Sequence, residues 1–269
     1  MSNRDTLAKI PAVTLGFWII KILATTLGET GGDTITMSWL GETTSAATGY
    51  GYLLGTALVL VPFVVLVIAQ IAVKKFHPFV YWVTIVGSTM FGTTLADFAD
   101  RSLGIGYAGG SALLLFCVVA VLALWYRTEG TVSVDTVNTP RVELFYWATI
   151  TFSQTLGTAL GDWMADDAGV GFLGGALISG AALVIVAGLY FWTSVSRVML
   201  FWLAFILTRP LGATVGDFLD KPFGQGGLSL SRPIASTVLA VAIIVLILLL
   251  PQRAGEHPDA AGGVTTVRR

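Results

Sequence analysis

The sequence predicts an all-α polytopic membrane protein: eight transmembrane helices arranged as four parallel helical-hairpin repeats. Three observations carry that expectation. The 269 residues are 55% hydrophobic and only 12% charged, with a mean hydropathy of +0.80, about half the charge of an ordinary soluble domain. Eight nearly uncharged runs have the length of a bilayer-crossing helix, roughly 20 residues each. The odd-numbered runs all end in one motif, two small residues four apart and then an acid. The composition also excludes several classes. A single Cys117 rules out a disulfide scaffold, and two histidines, His77 and His257, are too few for a His-rich zinc or haem site. Fifteen basic against sixteen acidic residues leave no basic face for nucleic acid.

The runs fall at 11–30, 50–73, 79–98, 107–126, 142–162, 170–193, 198–218 and 232–250. In lipid every backbone polar group must be satisfied internally, so such runs are helices. The first has the look of a secretory signal, but it lacks a clean small-residue cleavage site and its pattern recurs downstream, so it is expected to remain. Between the fourth and fifth runs lies RTEGTVSVDTVNTP, 127–140, a linker that divides the chain into 1–126 and 141–250. The tail 251–269, with Gly, Pro and mixed charge, reads as disordered. Ten basic residues (Arg4, Lys9, Lys74, Lys75, Arg127, Arg141, Arg197, Arg253, Arg268 and Arg269) fall on one side of the runs. Arg101, Lys221 and Arg232 fall on the other. The positive-inside rule then puts both termini in the cytoplasm of a cell (inner) membrane protein, in keeping with an even number of spans. Trp18, Trp82, Trp147 and Trp202, near the cytoplasmic ends of the odd runs, read as interfacial anchors.

The odd runs end in ATTLGE (24–29), GTTLAD (92–97), GTALGD (157–162) and GATVGD (212–217). A second acid follows each: Asp33, Asp100, Asp166 and Asp220. The even runs open on GYGY (49–52), GIGY (104–107), GVGF (169–172) and GQGG (224–227), with no Walker lysine after them, so these read as tight turns and not as phosphate loops. Their second glycines fall at 51, 106, 171 and 226, intervals of 55, 65 and 55. A unit of about 55 residues is therefore repeated four times, with ten extra residues in the linker. The first copy carries a longer outer loop, 30–49. Parallel repeats place binding sites at their interfaces. On its four small-xxx-small-acid ends the chain, over roughly 12–250, resembles a family of prokaryotic integral membrane proteins defined by a fourfold repeat of unknown function. The resemblance implies the architecture and a bacterial-membrane setting, and it implies no activity.

With the acid as position zero, positions −5 and −1 are small in every copy, a spacing that lets helices approach closely in lipid. Positions 0, −4 and −8 share one helical stripe. They read Glu29, Thr25, Lys21; Asp97, Thr93, Thr89; Asp162, Thr158, Gln154; and Asp217, Ala213, Arg209. The even runs are almost wholly Leu, Val, Ile and Ala, so the odd helices are expected inside and the even ones against lipid.

Charges within a bilayer are costly and face partners or water. Four acids against Lys21 and Arg209 leave a formal −2, which a cation or protons would balance. Lys21 and Arg209 lie about 12 Å below their own acids, so each is expected to pair with a carboxylate of another repeat. Oxygen-only donors suit Mg²⁺, Ca²⁺ or Mn²⁺. Ten of the sixteen acids, Asp33, Asp100, Asp166 and Asp220 among them, lie at or beyond the outer ends, an electronegative mouth that would concentrate cations. The function expected is transport of a divalent metal, exchanged for protons at a four-carboxylate site of Glu29, Asp97, Asp162 and Asp217. A passive channel with an acidic ring and a non-transport scaffold are the alternatives. No Ser-His-Asp, HExxH or paired-cysteine motif occurs, so neither an enzyme nor a cofactor is expected. The partners foreseen are the lipid bilayer and a small inorganic cation or protons.

Overall fold

Residues 7–45 and 47–256 are described in the computed structural model. Among them run eight long helices: α1 (Leu15–Asp33), α2 (Tyr50–Ala72), α3 (Pro78–Asp97), α4 (Tyr107–Glu129), α5 (Pro140–Asp162), α6 (Gly171–Trp192), α7 (Arg197–Asp220) and α8 (Arg232–Leu249). Six of them, all but α1 and α5, are long and apolar enough to cross a membrane. The chain is a multi-pass membrane protein. The two exceptions fall short in apolar content: α1 carries Lys21 and Glu29 among its threonines and glycines, and α5 carries Thr149, Thr151, Ser153, Gln154, Thr155 and Thr158 in its middle.

The odd helices start alike. Thr14, His77, Thr139 and Ser196 each accept a hydrogen bond from a backbone N–H three residues on, satisfying a donor that the first turn leaves free. Glycines with positive φ stand at the start of three even helices, Gly49 and Gly106 just before α2 and α4 and Gly171 as the first residue of α6; at Gly106, φ 79° and ψ 145° suit no residue with a side chain. The expected loop 30–49 is shorter than foreseen, because α1 runs to Asp33 and continues as a π-helical turn to Trp39. Similar turns follow α3 and α5, at Phe98–Ser102 and Trp163–Asp167.

α1, α3, α5 and α7 form a closed ring, each packed on the next and α7 on α1. Small residues make the approach possible. A methyl on Gly212 of α7 would lie 2.2 Å from Thr25 Oγ1 and 2.8 Å from its backbone carbon in α1. The contacts advance in step along neighbouring helices (Gly28 on Thr89 and Gly32 on Thr93, Gly212 on Thr25 and Gly216 on Glu29), so these helices run parallel. Threonines stitch them: Thr25 donates to the Thr208 carbonyl at 3.1 Å, and Thr89 and Thr93 to the Ala24 and Gly28 carbonyls at 3.1 Å.

The even helices lie outside and turn rows such as Leu58, Val61 and Val65 outward. They are not hairpin partners of the odd helix before them. α2 packs on α3, α4 on α5, α6 on α7, and α8 on α1. The π-helical turns account for the shift: α2 and α4 each begin between the turn of their own repeat and that of the next.

One element interrupts the all-α expectation. Leu7–Pro11 (β1) pairs antiparallel with Ala254–Glu256 (β2), so the start of the expected disordered tail is ordered. The rest of that tail, 257–269, lies outside the described residues, as do Arg4, Arg268 and Arg269. Lys9 of β1 donates to Glu143 at 2.5 Å and to the Ile71 carbonyl at 2.9 Å, which ties the ribbon to α5 and α2. Residues 127–140 pack beneath it, with Val134 and Val137 buried. The tryptophans differ from expectation as well. Trp82, Trp147 and Trp202 are buried in the core at this ribbon end, and Trp18 is half-buried. Trp82 and Trp202 satisfy their indole N–H on Gln252 and the Val132 carbonyl, partners supplied by the tail and the linker.

Candidate functional site

The stripe read from the sequence lines the inside of the ring. Phe17, Ile85, Ile150 and Phe205, twelve positions before each acid, form a buried apolar layer toward the ribbon end. Above it Lys21, Thr89, Gln154 and Arg209 are all fully buried, as are Thr25, Thr93 and Thr158 one turn higher. The acids Glu29, Asp97, Asp162 and Asp217 are 2, 2, 4 and 2% exposed, so they do not simply end their helices in water.

Arg209 joins the four repeats. Its stem crosses α5 at Gly157, where a methyl would sit 2.2 Å from Arg209 Cγ. From there Nη2 lies 3.0 Å from Glu29 Oε2 and 2.5 Å from Thr93 Oγ1, and it also bonds Thr158. Nη1 reaches the Thr25 carbonyl at 3.5 Å. This cation is thus placed on another repeat's carboxylate. Lys21 is not. Its Nζ has no hydrogen-bond partner among the described residues and sits 4.1 Å from the centre of the Phe205 ring. Glu29, the acid of its own helix, is held by Arg209. Among the described residues Gln154 likewise has no partner for either amide atom.

Three further cations, the basic residues on the outer side of the runs, reach the acid layer. Arg101 Nε is 2.7 Å from Asp97 Oδ1, and its Nη2 is 3.8 Å from Asp162 Oδ2. Lys221 Nζ bridges Asp33 at 2.7 Å and Asp217 at 2.8 Å. Arg232 lies 3.4 Å from Asp220 and 3.8 Å from Asp33. The formal −2 drawn from Lys21 and Arg209 alone is therefore incomplete. The missed signal is a spacing: Arg101 and Lys221 stand four residues after Asp97 and Asp217, where a helix brings opposite charges together. Burial alone would push the Lys221 ammonium down, yet Asp217, Asp33 and Asp220 around it hold it well above the usual lysine range. It is a fixed cation at physiological pH.

The expected mouth divides. Asp33 and Asp220 are buried in these ion pairs, Asp100 is half-buried, and Asp166 is exposed. Glu42, another of the ten acids at or beyond the outer ends, caps α2 by accepting from the Gly49 and Gly51 N–H groups at 2.9 and 2.6 Å. Carboxylate oxygens of Glu29, Asp33 and Asp217 come within 4.8 Å of one another, close enough to share a cation. A cavity of about 410 Å³ opens at this end beside Arg101, Asp162, Asp166, Asp217 and Lys221. The arrangement can bind positive charge at carboxylates, pass protons among them, and present both to the cavity at this end.

No curated protein and no solved structure matches the chain. A family model described as Repeat of Unknown Function (DUF347) matches it four times, over residues 16–76, 80–131, 145–196 and 200–253. Each match takes in one inner helix with its acid, one turn and one outer helix. The chain belongs to the DUF347 repeat family, with α1–α2, α3–α4, α5–α6 and α7–α8 as its four copies.

Proposed function

We propose that this protein is a cell-membrane transporter that carries a small cation through its carboxylate layer in exchange for protons. One observation carries the reading: a fully buried polar stripe opens into a cavity at the acidic end, while Phe17, Ile85, Ile150, Phe205 and the ribbon close the other. That is the shape of a carrier halted with access from one side. A ring held by small residues alone needs no such stripe, because buried charge costs several kcal/mol per group.

All eight helices cross the bilayer in this reading, since α1 and α5 share the ring with α3 and α7. The ten-to-three bias of basic residues sets the ribbon end and both termini in the cytoplasm and the acids outside. A carrier is favoured over a passive channel because Arg209 spans the ring between Thr25, Thr93 and Thr158, directly above the apolar layer. A bracing role has one observation in its favour: Glu29, Asp97 and Asp217 each already hold a cation at 3.0 Å or less. A hard divalent metal suits the oxygen donors, and at Asp33 and Asp217 it would have to displace Lys221.

Flux into proteoliposomes, with a panel of divalent and monovalent cations and a pH-sensitive dye inside, decides between carrier and brace. Uptake of at least one cation with opposing proton movement is expected, and Asp217→Asn should slow it by about tenfold or more, the effect of losing one ~1.4 kcal/mol interaction. Silence toward every cation, under either gradient, would leave the bracing role.

A further inference from the structure

The four repeats differ at the fourth residue after the acid. In repeats 2 and 4 it is a cation, Arg101 or Lys221, folded back onto Asp97 at 2.7 Å and Asp217 at 2.8 Å. In repeats 1 and 3 it is a second acid, Asp33 or Asp166. Repeat 1 is served from elsewhere, with Arg209 on Glu29 at 3.0 Å and Lys221 on Asp33 at 2.7 Å. Repeat 3 is served only at long range. The Asp162 carboxylate, in a residue 4% exposed, makes no hydrogen bond among the described residues, and its one cationic partner there is Arg101 at 3.8 Å. Asp166 has no ion pair among them. Both carboxylates line the 410 Å³ cavity, whose wall also carries Phe172 and Gln225, together with Arg101, Lys221 and Asp217, which are already engaged in the pairs described above.

We propose that Asp162 and Asp166 form a binding site for a small organic cation with a primary ammonium head, an alkylammonium or short diamine. The inference rests on the transport reading for what the bound amine is there to do. The class follows from the chain's own solution to the same problem. Wherever this layer is neutralised from within, N–H donors do it at short range, and Lys221 is itself a primary ammonium between two aspartates. A ligand ammonium in repeat 3 takes the role of the cationic side chain that repeats 2 and 4 carry. Size points the same way. The cavity holds roughly a dozen waters at ~30 Å³ each, far more than a bare metal ion fills. Phe172 on the wall gives the methylene groups of such a ligand an apolar contact.

The test uses the full chain in nanodiscs, with calorimetry and the fluorescence of Trp163, the neighbour of Asp162. The probes are methylammonium, 1,4-diaminobutane, tetramethylammonium and Mn²⁺. The primary amines are expected to bind saturably and at least tenfold more tightly than tetramethylammonium, which has no N–H to donate. Asp162→Asn should weaken amine binding tenfold or more. Asp166→Lys builds the missing resident cation, so it should abolish amine binding while keeping or raising the thermal midpoint, which shows the fold intact. No amine binding, Mn²⁺ binding in its place, or undiminished amine binding by Asp166→Lys would each overturn the proposal. Metal flux without amine binding would sink this inference and leave transport standing. Amine binding lost in both variants, with no flux of any cation, would keep the site and sink transport.

Discussion

Removing the Arg209 guanidinium would strand Glu29, whose one charged contact among the described residues is Arg209 Nη2 at 3.0 Å. Breaking one side of a buried pair costs about 3–5 kcal/mol. Arg209→Met is therefore expected to lower the thermal midpoint in detergent sharply, and adding Glu29→Gln should recover part of the loss. Lys21→Met should leave the midpoint unchanged or raise it, because that ammonium has only the Phe205 ring at 4.1 Å. Equal losses for Lys21→Met and Arg209→Met would show that both cations brace the ring. The sequence marks these two residues by one rule, eight positions before the acid, and both are fully buried on that stripe. It cannot separate them, because a partner depends on which neighbouring side chain arrives first. Gly157 gives Arg209 a path to three other helices, whereas Lys21 meets Phe205. Arg101 and Lys221 were legible as partners from their spacing, but serving as topology markers hid that second role.

Ser236 of α8 and Thr30 of α1 bring their hydroxyls to 3.0 Å, a contact that four sequential hairpins would not make. In a Cys117→Ala background, Thr30→Cys with Ser236→Cys is expected to cross-link under mild oxidation and to migrate faster on a denaturing gel. Failure of that pair, with cross-linking between α7 and α8 instead, would return α8 to its own repeat. Which helices lie inside was readable from composition, since the odd runs hold the polar stripe and the even runs hold Leu, Val and Ile. The one-step shift of the outer helices was not. A GxG turn reports only that the chain reverses, and the π-helical turns that redirect it have no simple sequence mark. The buried tryptophans were misread for a related reason: their partners, Gln252 and Val132, lie in segments taken for tail and linker.

Across the whole molecule the shift makes every repeat depend on its neighbours, and β1 with β2 and α1 with α8 close the chain on itself. Residues 1–130 alone would lack α8 over α1, and residues 131–269 alone would lack α4 over α5. Either half by itself is expected to be degraded in cells. Co-expressed, the two should assemble and copurify through a tag on one of them, and a stable, soluble-in-detergent single half would contradict the closed ring. The packing of α8 on α1 also sets a clock. α1 is the first of these helices to leave the ribosome, and its outer cover is the last. At about 5–20 residues per second, the interval between them is roughly 10–40 s. For most of that time, until α7 emerges, Lys21 and Glu29 have no Arg209 helix beside them and must be kept from hydrocarbon by the insertion machinery or by water. How long the nascent chain stays vulnerable is therefore set by the speed of translation and not by how fast the helices pack.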